Sequence, residues 1–554
     1  MSLAMIRRET PTSRTVSRKS VREQELELLQ DDMLCRQQSR KNAANPPRDS
    51  WEENGFLYTR EGSTIWVDFT INSPRDPLCF SKRKKWLITW IGFTFSISTN
   101  WNTGAYAIGQ GSLQHDLGGT ALRTSAGFGL YVWGFAIFPL ILSGVSEDLG
   151  RKPLYVVTGL LYWLFFFPVI KAQNMTVLLA FRFLQGGMGS TGSSVTGGTL
   201  SDIWVTADRG IKMAIFSLVC FLGNSMAPLA MSWVEAQPDL EWRWIQWIQV
   251  IMFGVCLPFI MMIPETREGV ILRRQAARKR KEAREIVEGY GGAKYLARSE
   301  VNKPRLVELI KTSSLRPIWL LFTEPIVLFF SLWAATAWGV FYALTQSIPM
   351  IFQGLYGFDI GRTGLVYLAM VIGSLLSFGF NFYQEHLYRK NVANRGPEAR
   401  LYAAMLGGVC FAIGCFIYAW TSFPHVTYIA PCIGITICVF GIFSIYLGVF
   451  NFLADSYTIY ASSALAGQSF LRNMVAGGFT FFTRQLYDNL TPRWGTTLFG
   501  CLATILAVIP FIAFFYGPKI RKHSTFAKSL AIEEERLMAE RYGREGDVEK
   551  ISGR

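Results

Sequence analysis

The chain is 554 residues long; half of them are hydrophobic, 14% are aromatic and only 17% are charged. Soluble domains carry about a quarter of their residues as charges, so this is a membrane composition. The net charge of +15 is not a nucleic-acid signal, because lysine and arginine gather at 1–85, 267–316, 389–400 and after Gly517, blocks that the positive-inside rule holds on the cytoplasmic face.

Residues 1–85 open with Arg7, Arg8, Arg14, Arg18 and Arg22 and lack the apolar run of a signal peptide. Their low apolar content predicts a mostly disordered cytosolic tail, with one short amphipathic helix over 21–38. The run Lys82-Arg83-Lys84-Lys85 before Trp86 reads as an inner-leaflet boundary. From there, apolar windows of about twenty residues recur, each long enough to cross about 30 Å of hydrocarbon. Spans are predicted at 86–108, 123–145, 154–171, 176–201, 211–235, 245–263, 318–342, 360–382, 401–420, 426–453, 461–486 and 494–516. The fold class is therefore an all-α membrane protein. Two six-helix halves, 86–263 and 318–516, are joined by a basic cytosolic linker at 264–317 and followed by a cytosolic tail at 517–554. The linker's Arg273–Glu282 stretch predicts basic helices along the membrane surface. Sequons at Asn174 and Asn489 fall on outward loops and are glycosylation candidates.

A charged hairpin, Ser143–Pro153, separates the second and third spans. Charge is costly in hydrocarbon, so Glu147, Asp148, Arg151 and Lys152 must sit at the water interface. Gly150 permits the turn, and Glu147 and Arg151, four apart, are spaced to pair on one helical face. The second half repeats the pattern at Glu385 and Arg389, directly after an apolar run, as a duplicated membrane unit would.

Inside the spans, Arg182 falls about two turns into the fourth and should face the bundle interior. Two roles stand open for it, coupling or substrate contact on one side and bracing of helices on the other. The glycines after it allow a neighbouring helix to approach closely. Glu324 is the clearest acid at membrane depth; it is either protonatable or an interfacial partner of Arg316. Asp455 and Arg472 flank the turn between the tenth and eleventh spans and suggest gating ion pairs. Trp101 and Asn102, with Trp333, Trp338, Tyr342 and Gln346 in the seventh span, could form an aromatic and polar wall for flat or cationic ligands. Nine cysteines without a CxxC pair and four scattered histidines offer no metal cluster, no catalytic constellation is visible, and no phosphate-binding Gly-x-x-x-x-Gly-Lys loop occurs. No cofactor, metal or enzymatic activity is expected.

These residues resemble the major facilitator superfamily, and within it the fungal twelve-span drug:proton antiporters. The resemblance rests on Ser146-Glu147-x-x-Gly150-Arg151-Lys152-Pro153, on Arg182-Phe183-Leu184-Gln185-Gly186, on Trp242-Arg243-Trp244 and on Phe470-Leu471-Arg472, and it covers 76–527. It implies that Glu147 and Arg151 latch the amino-terminal half onto the carboxy-terminal half in the outward-facing state, and that Arg182 takes part in proton coupling. One departure is the fifth span, where Gly223–Ser232 keeps one glycine and one proline of a glycine-rich antiporter motif. The resulting expectation is a monomeric, proton-coupled exporter of a drug, toxin or secondary metabolite in the lipid bilayer, in the plasma membrane or alternatively the vacuolar membrane. Uptake of a nutrient or polyamine, and a non-transporting receptor, are the competing readings.

Overall fold

The computed structural model describes residues 49–286, 294–301, 305–457 and 460–523. They form two compact units, 49–75 with 272–286 and 294–301, and 76–271 with 305–457 and 460–523.

The larger unit is helical. Its first half comprises α1 (Lys82–Ile108), α2 (Ala121–Leu149), α3 (Arg151–Leu164, continued by a short helix to Ile170), α4 (Met175–Ile203), α5 (Thr206–Glu235) and α6 (Glu241–Met262). Helix α7 (Glu268–Ile286) leaves it, and α8 (Leu306–Thr323) leads into the second half. That half holds α9 (Pro325–Gly354), α10 (Leu368–Arg395, preceded by a short helix from Ile360), α11 (Tyr402–Thr421), α12 (Ile429–Tyr457), α13 (Ala461–Leu506) and α14 (Val508–His523). Helix α13 breaks at Thr491, where φ is 66°, just before Pro492, so it makes two crossings.

Nine segments among the described residues are apolar and long enough to span a membrane, the last being the 57 residues Ala461–Gly517 that contain this break. Helices α1 and α4 are equally long but carry many Ser, Thr, Asn and Gly residues, which lowers their hydropathy. Placing them inside the bundle satisfies those groups, and completes the twelve predicted crossings. The most apolar window of α9 is 83% buried, whereas that of α6 is 39% buried. Ile251, Val255, Phe259 and Met262 on α6 and Phe511 and Phe515 on α14 are accordingly exposed, as lipid-facing side chains are.

Three boundaries differ from the sequence expectation. The predicted seventh span, 318–342, is two helices meeting at Glu324-Pro325, where Glu324 takes extended angles (φ −106°, ψ 107°). Proline has no N–H to continue the ladder and pushes its predecessor out of the helical region, so α9 starts afresh there. The stretch Glu385–Lys390 is not a second hairpin, because α10 runs on to Arg395. In the first half α2 likewise continues to Leu149, leaving Gly150 alone as the turn.

Within the predicted tail, the described residues from 49 onward are folded in the smaller unit. β1 (Ser50–Glu53), β2 (Phe56–Glu61) and β3 (Thr64–Phe69) form an antiparallel meander, and β4 (Lys294–Leu296) from the linker adds parallel to β3. Asn54-Gly55, both with positive φ (53° and 83°), supplies the tight β1–β2 turn. Tyr58 is fully buried, stacked on Trp51 and edge-on to Tyr295, and its hydroxyl accepts from Gln275 Nε2 at 2.9 Å. Arg280 grips Glu300 with two bonds of 2.8 and 2.9 Å. Burial alone would raise the Glu300 pKa, but these bonds and the Ala297 N–H hold it below the usual carboxylate range. Among the described residues, the tail's strands and the linker share one core. The helix expected over 21–38 lies outside the described residues, as does the tail beyond 523.

Candidate functional site

Arg182 is entirely buried in α4. Its Nη1 donates to Asn102 Oδ1 at 2.7 Å and Gln185 Oε1 at 3.2 Å, and its Nε to the Gly127 carbonyl at 3.3 Å. The rings of Tyr106 and Tyr131 flank the guanidinium, both centroids 4.4 Å away. Each ring is fixed in turn, Tyr106 by donation to the Thr124 carbonyl and Tyr131 by donation to that of Thr99. Every one of these partners is neutral. An arginine held by amides, a carbonyl and aromatic faces, with no carboxylate, keeps its full positive field inside the helices. The helices that carry this cradle pack backbone to backbone: a Cβ on Gly186 would overlap the Tyr131 carbonyl, and one on Gly134 the Phe183 carbonyl. Asn102 belongs to the Arg182 network, donating as well to the Tyr162 hydroxyl at 3.2 Å.

The inner end, where the basic loops lie, carries two clusters of like design. In the first half Arg151, which opens α3, bonds Asp202 near the end of α4 (Nε to Oδ2, 3.0 Å), while its backbone N–H donates to Glu265 Oε1 at 2.9 Å. Gly150 is required twice over, by its φ of 101° and because a Cβ would strike the Glu265 carboxylate. In the second half Arg400, two residues before α11, bonds Asp455 near the end of α12 (Nε to Oδ2, 2.8 Å) and Glu385 Oε2 (2.8 Å). Burial would lower the Arg400 pKa, but Asp455 and Glu385 raise it on balance.

This arrangement corrects three expectations. Glu147 is exposed and forms no pair with Arg151, whose side chain turns inward to Asp202. The counterpart of Arg151 is Arg400 and not Arg389, which is 70% exposed and lies 3.6 Å from Glu385. Both clusters also close within their own half, so they do not latch one half to the other. That contact is made beside them, where Ser313 and Ser314 on α8 donate to the Leu140 carbonyl of α2 (3.4 and 3.2 Å). Sequence reading missed Arg400 because it lies outside the i, i+4 spacing used to find the repeat. Asp202 and Asp455 were legible as acids closing the fourth helix of each half.

Glu324 is buried, starts α9, and accepts from the Tyr457 hydroxyl at 3.1 Å. A carboxylate at a helix N-terminus is favoured by the helix dipole.

At the centre, the halves meet through aromatic rings. Phe221 of α5 packs edge-on to Trp338 (4.8 Å) and against Phe443 and Tyr446, and Phe128 of α2 packs edge-on to Tyr342 (5.1 Å). Farther out, Trp133 Nε1 donates to the Met474 carbonyl at 3.0 Å, joining α2 to α13. Trp338, Tyr342 and Gln346 share one face of α9, four residues apart, and Gln346 is buried with both amide atoms unpartnered. Two other members of the predicted wall lie elsewhere. Trp333 is wholly buried against Phe330 and Gly408 inside the second half, and Trp101 packs on Ala105, Ala227, Met231 and Ile245. Both fill gaps between helices because an indole is the largest apolar group available. Arg472 does not pair with Asp455, which Arg400 already holds; its guanidinium lies over Trp338 and Tyr446, 4.7 and 4.8 Å from the centroids.

The sequence from 90 to 479 matches the Major Facilitator Superfamily family model. The chain belongs to that superfamily. It is similar to the MFS-type efflux pump MFS2 of Trichophyton rubrum, 32% identical over 86% of this chain and 80% of that one. The multidrug transporter mdrA of Aspergillus fumigatus is 30% identical over 84% of this chain and 75% of its own. Among solved structures, the partially occluded inward-open xylose transporter XylE of E. coli shares the fold, with a TM-score of 0.55 at 12% identity over 78% of this chain and 99% of that chain. The superfamily makes this a multi-pass membrane transport protein.

The fifth span packs closely on the first. Close approach of α1 and α5 is provided by Gly223 on α5, against the Ile97 carbonyl, and by Gly104 on α1, against the Asn224 carbonyl. The sequon asparagines are exposed, and the Asn174 side chain caps α4 by accepting from the Val177 N–H.

Proposed function

We propose that the chain exports a small organic compound, a drug, toxin or secondary metabolite including amphipathic ones, by alternating access in exchange for protons. The observation that carries this reading is a fully buried Arg182 held by neutral groups alone, in a chain similar to efflux pumps over most of its length. An arginine cannot give up its proton in a protein, so its part in coupling is electrostatic. Its field penalises a second positive charge within the first half. Glu324, buried at the start of α9 in the second half and bonded to Tyr457, is the second group assigned to proton coupling in this reading. The clusters at Arg151 and Arg400 hold each half rigid while the halves rock about the central aromatic contacts. The protein works as a monomer in the plasma membrane. Export is preferred to uptake because the chain is similar to proteins named as efflux pumps over most of its length.

Accumulation of labelled drugs, polyamines and lipidic metabolites in cells tests this directly. Wild-type cells should accumulate less of at least one compound, and a protonophore or Arg182→Ala should each abolish the difference. Higher accumulation in wild-type cells, lost in the same two ways, would reverse the direction.

A further inference from the structure

We propose that the central site selects aromatic anions, with Arg472 as the counter-ion; the proposal rests on the reading of the chain as an exporter and names its substrate class. Arg472 lies on α13 between the halves, its guanidinium over Trp338 and Tyr446. Its Nη2 donates to Ser469 Oγ at 3.3 Å, while its Nε is buried without an acceptor, and no carboxylate among the described residues pairs with it. Facing it from the first half are Phe221, edge-on to Trp338, and no group of opposite charge. One turn and then two turns along α9 from Trp338 stand Tyr342 and Gln346, whose buried amide offers an unused donor and an unused acceptor.

The charge inventory of the helices points the same way. Helices α1, α3, α9 and α11 contain no Asp or Glu. Glu147, Asp148, Asp202, Asp208, Glu235, Glu241 and Asp455 stand at or near the ends of theirs, Asp488 precedes the Thr491 break, Glu324 caps α9, and Glu385 is bound to Arg400. Among the described residues, the middle of the bundle is left with Arg182 and Arg472 and no carboxylate paired with them. An organic cation entering the aromatic cluster would meet an unpaired guanidinium over the very rings that could attract it. A flat ring bearing a carboxylate meets stacking surfaces, a free N–H on Arg472 and the Gln346 amide. The aromatic wall thus selects flat ligands, and Arg472 sets the sign of their charge.

The test uses the full-length protein in lipid nanodiscs at pH 7.5 and three ligands of one shape: 2-naphthoate, 2-naphthylmethylammonium and neutral 2-naphthalenemethanol, each measured by equilibrium dialysis. Naphthoate should bind at least about tenfold more tightly than the ammonium, the ratio that one charge-assisted hydrogen bond supplies. Arg472→Gln should weaken naphthoate about tenfold or more and leave naphthalenemethanol within about twofold, which also shows that the variant is folded. Arg472→Lys should fall between, keeping the charge but losing the planar fork. No binding of naphthoate, tighter binding of the ammonium, or naphthoate affinity unchanged in Arg472→Gln would overturn the proposal. Naphthoate binding with this profile and no protonophore-sensitive export would sink the exporter reading and leave the site intact; export of cations alone would do the reverse.

Discussion

Arg151 and Arg389 have the same side chain and nearly the same local sequence, yet the structure gives them unequal weight. Arg151 and Asp202 are each about nine-tenths shielded, with relative side-chain exposures of 9% and 8%, and without Arg151 the buried Asp202 keeps the more distant Arg267 at 3.8 Å. Arg151→Ala should therefore cost roughly 1.5–3 kcal/mol of stability, the range for a lost charge-assisted hydrogen bond. Arg389 pairs with Glu385 across 3.6 Å at 70% exposure, and Arg389→Ala should stay within about 0.5 kcal/mol. Thermal unfolding of the two variants in detergent checks the contrast. Equal losses would mean that the i, i+4 repeat read from sequence, and not the Arg151/Arg400 correspondence, identifies the duplicated cluster. At this scale the sequence was informative about which charges had to be handled and poor about their partners. Arg182 had to face inward because hydrocarbon forbids the alternative, but nothing in its neighbours told that Tyr106 and Tyr131, from two other helices, would hold it.

Among the elements, α2 and α4 illustrate how small residues set a site's geometry. Gly186 is in backbone contact with Tyr131, the same residue whose ring flanks Arg182 four positions earlier on α4. Gly186→Ala should force the two helices apart at a cost of about 1–3 kcal/mol and loosen the arginine's cradle. Gly478→Ala on α13, where an added Cβ meets nothing within 4 Å, is the matched control and should be neutral or slightly stabilising through helix propensity. Melting temperatures of both variants decide the point; a Gly186→Ala protein as stable as Gly478→Ala would show that the close approach is not needed. Helix count and order were legible because apolar windows of fixed length are forced by bilayer thickness. The break at Glu324-Pro325 carried its own signal, a proline, and was passed over because the apolar run continues on both sides of it. The β-sheet was missed for a different reason. Its fourth strand comes from residues 294–296, more than two hundred positions from its neighbour β3, and strand pairing of that range leaves no periodic trace. The Asn54-Gly55 turn was the local clue available.

At the scale of the whole molecule, the fold is two similar six-helix halves that touch through an aromatic centre and share a buried positive field. Their similarity is physical as well as topological: each uses an arginine before its third helix and an aspartate closing its fourth to lock its inner end. The contacts free to change during transport are those between halves, among them α2 with α8 and α13, and α5 with α9, α10 and α12. In the proposed mechanism, movement of substrate and of protons is coupled through Arg182. The most direct measurement uses the purified protein in liposomes loaded with a pH-sensitive dye under an imposed proton gradient, to which a compound expelled by cells is added. Addition should discharge the gradient with wild-type protein and should fail to do so with Arg182→Ala, at equal reconstitution. A gradient unaffected by substrate in the wild type, or discharged equally by the variant, would contradict the account.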